Sequence, residues 1–216
     1  MRKLGIIFAV IFLAAAFTPF GVFAMSVNKK VIVIDAGHGG WDPGKVGKND
    51  VLEKDINLAI AEDLQMMLEQ GGAIVFLTRA EDKALGDTKN TDLTARCVMP
   101  TDMQADIFVS IHQNAYPQES VSGAQVFYYG DSENSKRLAE SIQGHMRSFL
   151  DEENRKEAKA NEDYYLLKKT ATPAVIVECG FLTNHAEAMR LSREDYQEKV
   201  AWAIYVGILD YFAPSP

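Results

Sequence analysis

Apolar positions along this chain follow two different rhythms. Residues 31–35 in VIVIDAGHGG, 73–77 in AIVFL, 106–111 in DIFVSI and 174–177 in AVIV are short, nearly continuous apolar or β-branched runs. Runs of this length between turn residues predict strands buried on both faces. Residues 123–129 alternate in the manner of a further strand. Elsewhere the period is helical. Ile56, Ile60, Leu64 and Met67 or Leu68 mark a helix over 54–69, and Leu138, Ile142, Met146 and Phe149 mark the core face of another over 133–150. Tyr196, Val200, Ala203, Ile204 and Ile208 mark a terminal helix, with Ser192 read as its N-cap and Asp195 at N3. A shorter helix is expected over 93–99, stopped by Pro100, and a strand or helical turn over 164–167. Residues 80–92 are polar and turn-rich and read as a mobile loop. Strands alternating with amphipathic helices predict an α/β fold: one three-layer α/β/α domain with a mostly parallel, twisted sheet.

The first 24 residues do not fit that pattern. Arg2 and Lys3 precede a stretch, residues 4–24, that holds no charge. A basic segment followed by an apolar one is the make-up of a signal peptide, and the stretch is also long enough to serve as a retained membrane anchor. Both readings make residues 25–216 an exported domain, secreted or anchored, that meets the membrane only through its N-terminal segment. At 216 residues with a formal charge of −8 the chain has room for one well-buried core, and its acidity argues against nucleic acid as a partner. Cys97 and Cys179 stand at no metal-ligand spacing. Export permits a disulfide between them without requiring one. Cys179 directly follows Glu178 and is expected to point to the opposite face of its strand.

The candidate chemistry lies where the apolar runs end. His38 and His112 each follow a strand-like run, Glu178 closes AVIVE, and Glu53 in VLEKDIN stands where a helix should begin. In α/β folds, side chains delivered from strand ends meet over one edge of the sheet. Two imidazoles and one carboxylate match the ligand set of catalytic zinc, and a further carboxylate nearby can shuttle a proton. Taken singly, each histidine is equally readable as a loop residue satisfied by hydrogen bonds, and Glu178 as half of an ion pair with Arg79. Arg79 also reads as a holder of a substrate carboxylate. HExxH, GxSxG and a complete phosphate-loop motif, GxxxxGK followed by Ser or Thr, are all absent.

Taken together, DAGHGGWDPGKVG, LEKDINLAIAEDLQMMLEQGG, VFLTR, LTAR, ADIFVSIHQNA, SGAQVFYY and PAVIVECGFLTN resemble the zinc-dependent N-acetylmuramoyl-L-alanine amidases of the cell-wall hydrolase type, over residues 30–213. GAQVFYYG and NRKEAKANEDYYLLKKTATPAVIVECGFLTN look most like the germination-specific subgroup of endospore formers. The resemblance implies one zinc ion held by His38, Glu53 and His112, with Glu178 as the catalytic carboxylate. It implies hydrolysis of the amide between N-acetylmuramic acid and L-alanine in peptidoglycan. The substrate would be a glycan strand carrying its stem peptide, in spore cortex or vegetative wall. In the germination subgroup, loss of the stem peptide is a step toward the muramic δ-lactam. Some relatives of this type need a lipoprotein activator. Asn114 is read as a further donor to the oxyanion. A zinc peptidase and a non-catalytic peptidoglycan-binding module are the alternatives.

Overall fold

The computed structural model describes residues 27–214. Among these residues there are six strands: β1 Val31–Ala36, β2 Ile74–Leu77, β3 Ile107–Asn114, β4 Gln125–Tyr128, β5 Lys159–Ala160 and β6 Ala174–Phe181. They form one sheet in the order β2-β1-β3-β6-β4-β5. Neighbours run parallel except β4 against β6. Six α-helices accompany them: α1 Glu53–Gln70, α2 Lys89–Asp102, α3 Glu133–Leu150, α4 Tyr165–Lys169, α5 His185–Leu191 and α6 Glu194–Phe212. The expected three-layer α/β/α architecture is the one observed.

The period of two along the strands divides the core in two. Ile32, Ile34, Ile107, Val109, Ile111, Val175 and Val177 face one side, where α1, α3 and α6 cover them with Ile60, Leu64, Ile142, Val200 and Ile204. Val33, Phe108, Ala174 and Ile176 face the other side, under Cys97 of α2 and Leu166 and Leu167 of α4. Both cysteines are free and buried, Cys97 in the second cluster and Cys179 in the first, so the sheet separates them.

Several boundaries differ from the sequence reading. α2 starts at Lys89, four residues earlier than expected, because Thr88 and Thr91 form a reciprocal cap. It also continues through Pro100 to Asp102, since proline removes one N–H and the turns beyond it still close, as with Met103 N–H to the Met99 carbonyl at 3.0 Å. Ser192 is not the N-cap of the last helix. Its Oγ donates to the Met189 carbonyl at the end of α5, and α6 starts after Arg193 with no side-chain cap. Phe149, expected in the core, is exposed and stacked on His145. The polar segment read as a mobile loop is fastened down. Asp82 accepts from the Gly40 N–H and from Lys54 Nζ, and the Gly86 carbonyl accepts from Trp41 Nε1.

Among the described residues no helix is long and apolar enough to cross a membrane. The N-terminal segment read as a leader lies outside the described residues.

Candidate metal centre

On the side of the sheet covered by α2 and α4, apolar residues give way to polar ones toward the C-terminal ends of the strands. In register across the sheet, Val33, Phe108 and Ala174 form one row, Asp35, Ser110 and Ile176 the next, and His112 and Glu178 the third. Alternation alone therefore brings Asp35, Ser110, His112 and Glu178 to one face. Sequence reading ended the third and sixth strands before His112 and Glu178. Both residues lie inside longer strands, since their backbones stay paired with each other.

His38 arrives from the loop after β1, with a left-handed backbone (φ 62) that is uncommon for a non-glycine residue and has to be held by its neighbours. Two buried guanidiniums do so. Arg96 Nη1 donates to the Ala36 carbonyl at 2.9 Å and Nη2 to the His38 carbonyl at 2.7 Å. Arg79 donates to the carbonyls of Ala36, Gly37, Glu81 and Lys54. Arg96 is neutralised by Asp35 Oδ1 at 2.6 Å and Asp92 Oδ2 at 2.7 Å. Burial works against its charge, yet these two carboxylates raise its pKa. Arg79 is only 1% exposed, so the structure moves it away from both roles considered for it. It pairs with no carboxylate at Glu178 and clamps the loop that presents His38.

Glu53 is the first residue of α1, where the helix dipole favours a carboxylate. Its Oε1 accepts from the Gln113 N–H at 3.0 Å and Oε2 from the Lys45 N–H at 2.7 Å. Oε1 also lies 3.2 Å from His38 Nε2 and 3.0 Å from His112 Nδ1. One donor atom each from His38, Glu53 and His112 fall within 4.8 Å of one another. Two close approaches make this possible. Gly37 passes so near the His112 ring that a Cβ would strike it, and a Cβ on Gly44 (φ +66) would come within 2.6 Å of Glu53 Oε2.

Burial opposes charge on both partners, but their mutual hydrogen bonds win. Glu53 is held well below the usual carboxylate range, and His38 rises to about 9 through Glu53 and Asp42. Asp42 Oδ2 lies 2.8 Å from His38 Nδ1. A carboxylate behind an imidazole is the usual way a metal-binding histidine is oriented, and it leaves Nε2 facing the cluster. Residues of these types, at this spacing and with this backing, suit a zinc ion.

Glu178 is 7% exposed, and its Oε2 has no hydrogen-bond partner. Burial pushes its pKa up to about 7, with His112 opposing and Glu53 adding. Its Oε1 accepts from the Tyr164 hydroxyl at 3.4 Å. The Tyr164 ring stands edge-on to Phe127, 5.5 Å away, and burial together with the Glu178 charge lifts the phenol to about 12. His38, Glu53, His112, Glu178, Tyr164 and Asn114 all line a cavity of about 310 Å³. The Asn114 side-chain oxygen accepts from the Ala115 N–H, which leaves its amide NH2 as the donor available there.

Sequence reasoning found the three clustered residues, Glu178 and Asn114. It passed over Asp42, Arg96, Tyr164 as a hydroxyl donor, and Lys89, a further cavity residue. The i, i+4 spacing of His38 and Asp42 was the available clue to the first.

Residues 32–210 match the N-acetylmuramoyl-L-alanine amidase family, Amidase_3. The germination-specific N-acetylmuramoyl-L-alanine amidase of Bacillus subtilis is 38% identical over 198 residues, 88% of this chain and 83% of that protein. The CwlD amidase of Clostridioides difficile, solved in complex with the GerS lipoprotein, is 44% identical, with a TM-score of 0.82 over 85% of this chain and 98% of that one. An N-acetylmuramoyl-L-alanine amidase from Clostridium difficile 630 is 31% identical, with a TM-score of 0.78 over 88% of this chain and 100% of that one. The fold, the clustered histidines and carboxylate, and these matches agree: the chain belongs to the N-acetylmuramoyl-L-alanine amidase family.

Proposed function

We propose that this chain is a zinc-dependent, extracytoplasmic amidase that hydrolyses the bond between N-acetylmuramic acid and L-alanine in peptidoglycan. The observation that carries this reading is the placement of Glu178 Oε2, buried and unpartnered, in the same cavity as the His38, Glu53 and His112 donors. These three residues would hold one zinc ion, which when bound acts as a Lewis acid that lowers the pKa of water and polarises the scissile carbonyl.

Glu178 takes a proton from the attacking water at Oε2 and returns it to the alanine nitrogen as the C–N bond breaks. The Asn114 amide donates to the developing oxyanion. Tyr164 occupies the other Glu178 oxygen and so fixes which one accepts the proton. The residues before the described domain serve as a cleaved signal or retained anchor. Similarity to the germination-specific enzyme favours spore cortex as substrate, with stem-peptide loss leading toward the δ-lactam. Similarity to an amidase solved with a lipoprotein favours a partner of that class.

The test digests purified cortex and vegetative wall side by side, with zinc and with a chelator. The expected products are stem peptides with new L-alanine amino termini, released only with metal and preferentially from cortex, while glycan length and N-acetyl groups stay intact. Glu178→Gln should keep its zinc and lose turnover by about 10²-fold or more. Glycan shortening, or unchanged turnover in Glu178→Gln, would reject the reading.

A further inference from the structure

Among the residues lining the cavity, Lys89 is the one lysine or arginine. The other titratable groups there are Glu53, Glu178, the two imidazoles and the phenols of Tyr164 and Tyr165. Lys89 is the first residue of α2, exposed, and it shares its wall of the cavity with Leu93 of the same helix. Lys30, Lys48, Lys54 and Lys83 are each ion-paired with an aspartate or glutamate, while the other described lysines are not, and of those Lys89 alone lines this cavity. Lys89 has no such pair among the described residues, and the carboxylates around it are engaged elsewhere. Its charge reaches Asp42, but Asp42 Oδ2 faces His38 Nδ1 and Oδ1 accepts from the Gly44 N–H. Asp92, one turn along α2, accepts from Arg96 Nε and from the Leu85 N–H. An ammonium with no hydrogen-bonded carboxylate of its own, its charge shared only at a distance with Asp42, therefore borders the cavity of a chain with a formal charge of −8.

We infer that Lys89 is a specificity-determining residue that binds a free carboxylate of an acidic stem peptide, beside the metal centre. This rests on the amidase reading, which requires the stem peptide to occupy this cavity next to the scissile amide. In the unmodified stem peptide the L-alanine is followed by D-glutamate joined onward through its side chain, which leaves its α-carboxylate free unless it is amidated. With zinc bound, Glu53 would belong to a centre that is positive overall, and Glu178 and Asp42 are the anions left to repel such a carboxylate, which Lys89 offsets. Amidating that carboxylate keeps its size and removes its charge, which an ammonium distinguishes and an apolar wall does not. An exposed ion pair is worth a factor of about two to five, and one from which ligand excludes water about ten.

The experiment uses two muramoyl tripeptides that differ only in whether the D-glutamyl α-carboxyl is free or amidated. Zinc-loaded wild type, Lys89→Met and Lys89→Glu are compared on both. The wild type should favour the free carboxylate about fivefold in kcat/KM, mainly through KM, and less so with added salt. Lys89→Met should bring the ratio close to one and Lys89→Glu should invert it, with zinc content unchanged. An identical ratio in wild type and Lys89→Met, or a wild type indifferent to amidation, overturns the assignment. Failure of the wild type to release peptide from either compound overturns the amidase reading instead.

Discussion

Burial lifts the Glu178 carboxyl to about 7, while His112 and the Tyr164 hydroxyl pull it down. A proton acceptor works only as carboxylate, so activity falls as pH drops through that pKa. A divalent cation held next to it favours the carboxylate and draws the limb downward. The acid limb of kcat/KM is therefore expected above the ordinary glutamate value of about 4.3 and no higher than about 7. Tyr164→Phe keeps the ring on Phe127 and removes the donor. It should move the limb upward and lower kcat about three- to tenfold, with KM unchanged. A pH–rate profile of both proteins decides this, and a limb that stays in place would remove the hydroxyl from the mechanism. Glu178 was legible because a carboxylate closing an apolar run is conspicuous. Tyr164 was not: its reach depends on a turn in which Asn161 Oδ1 accepts from the Tyr164 N–H, and nothing in the periodicity records it. Arg79 misled for a related reason. Arginine is read as a surface or ligand-binding residue, yet the carbonyls of a tight loop make an equally good set of acceptors in the interior.

At the level of elements, strand parity does most of the positioning and one loop does the rest. The apolar runs of β1, β3 and β6 could be read directly, and with them the expectation that their ends carry the chemistry. Their full lengths could not, because Gln113, Asn114 and Gly180 look like loop residues and stay in strands only through their neighbours. The loop of His38 is held by Arg96, whose fork spans Asp92, Asp35 and two carbonyls at once. Lysine brings the charge without the fork. Arg96→Lys is accordingly expected to weaken zinc binding about tenfold or more, in the range known for residues that orient metal ligands, and to regain turnover when zinc is saturating. Competition against a chromogenic chelator measures it, alongside circular dichroism to confirm folding. Wild-type affinity in a folded Arg96→Lys protein would show that the loop holds its shape without the fork.

Across the whole molecule, the clustered donors join three parts of the chain: the loop after β1, the start of α1 and the end of β3. Without an ion, Glu53 hydrogen-bonded to His112 and ion-paired with His38 already satisfies the cluster, so the domain is expected to fold without zinc. A zinc ion bound there would add stability by mass action, about 2.7 kcal/mol at a hundredfold excess over its Kd. For a domain of this size that corresponds to a rise in Tm of roughly 5–10 °C. The increment should vanish in His38→Ala, whose own metal-free Tm changes far less. It should also shrink as pH falls, because zinc must displace the proton that His38 holds up to about 9 in the metal-free site. Calorimetric scans with zinc and with chelator at two pH values measure both effects. A Tm indifferent to zinc in the wild type would mean that the three groups, close as they are, do not form a common site.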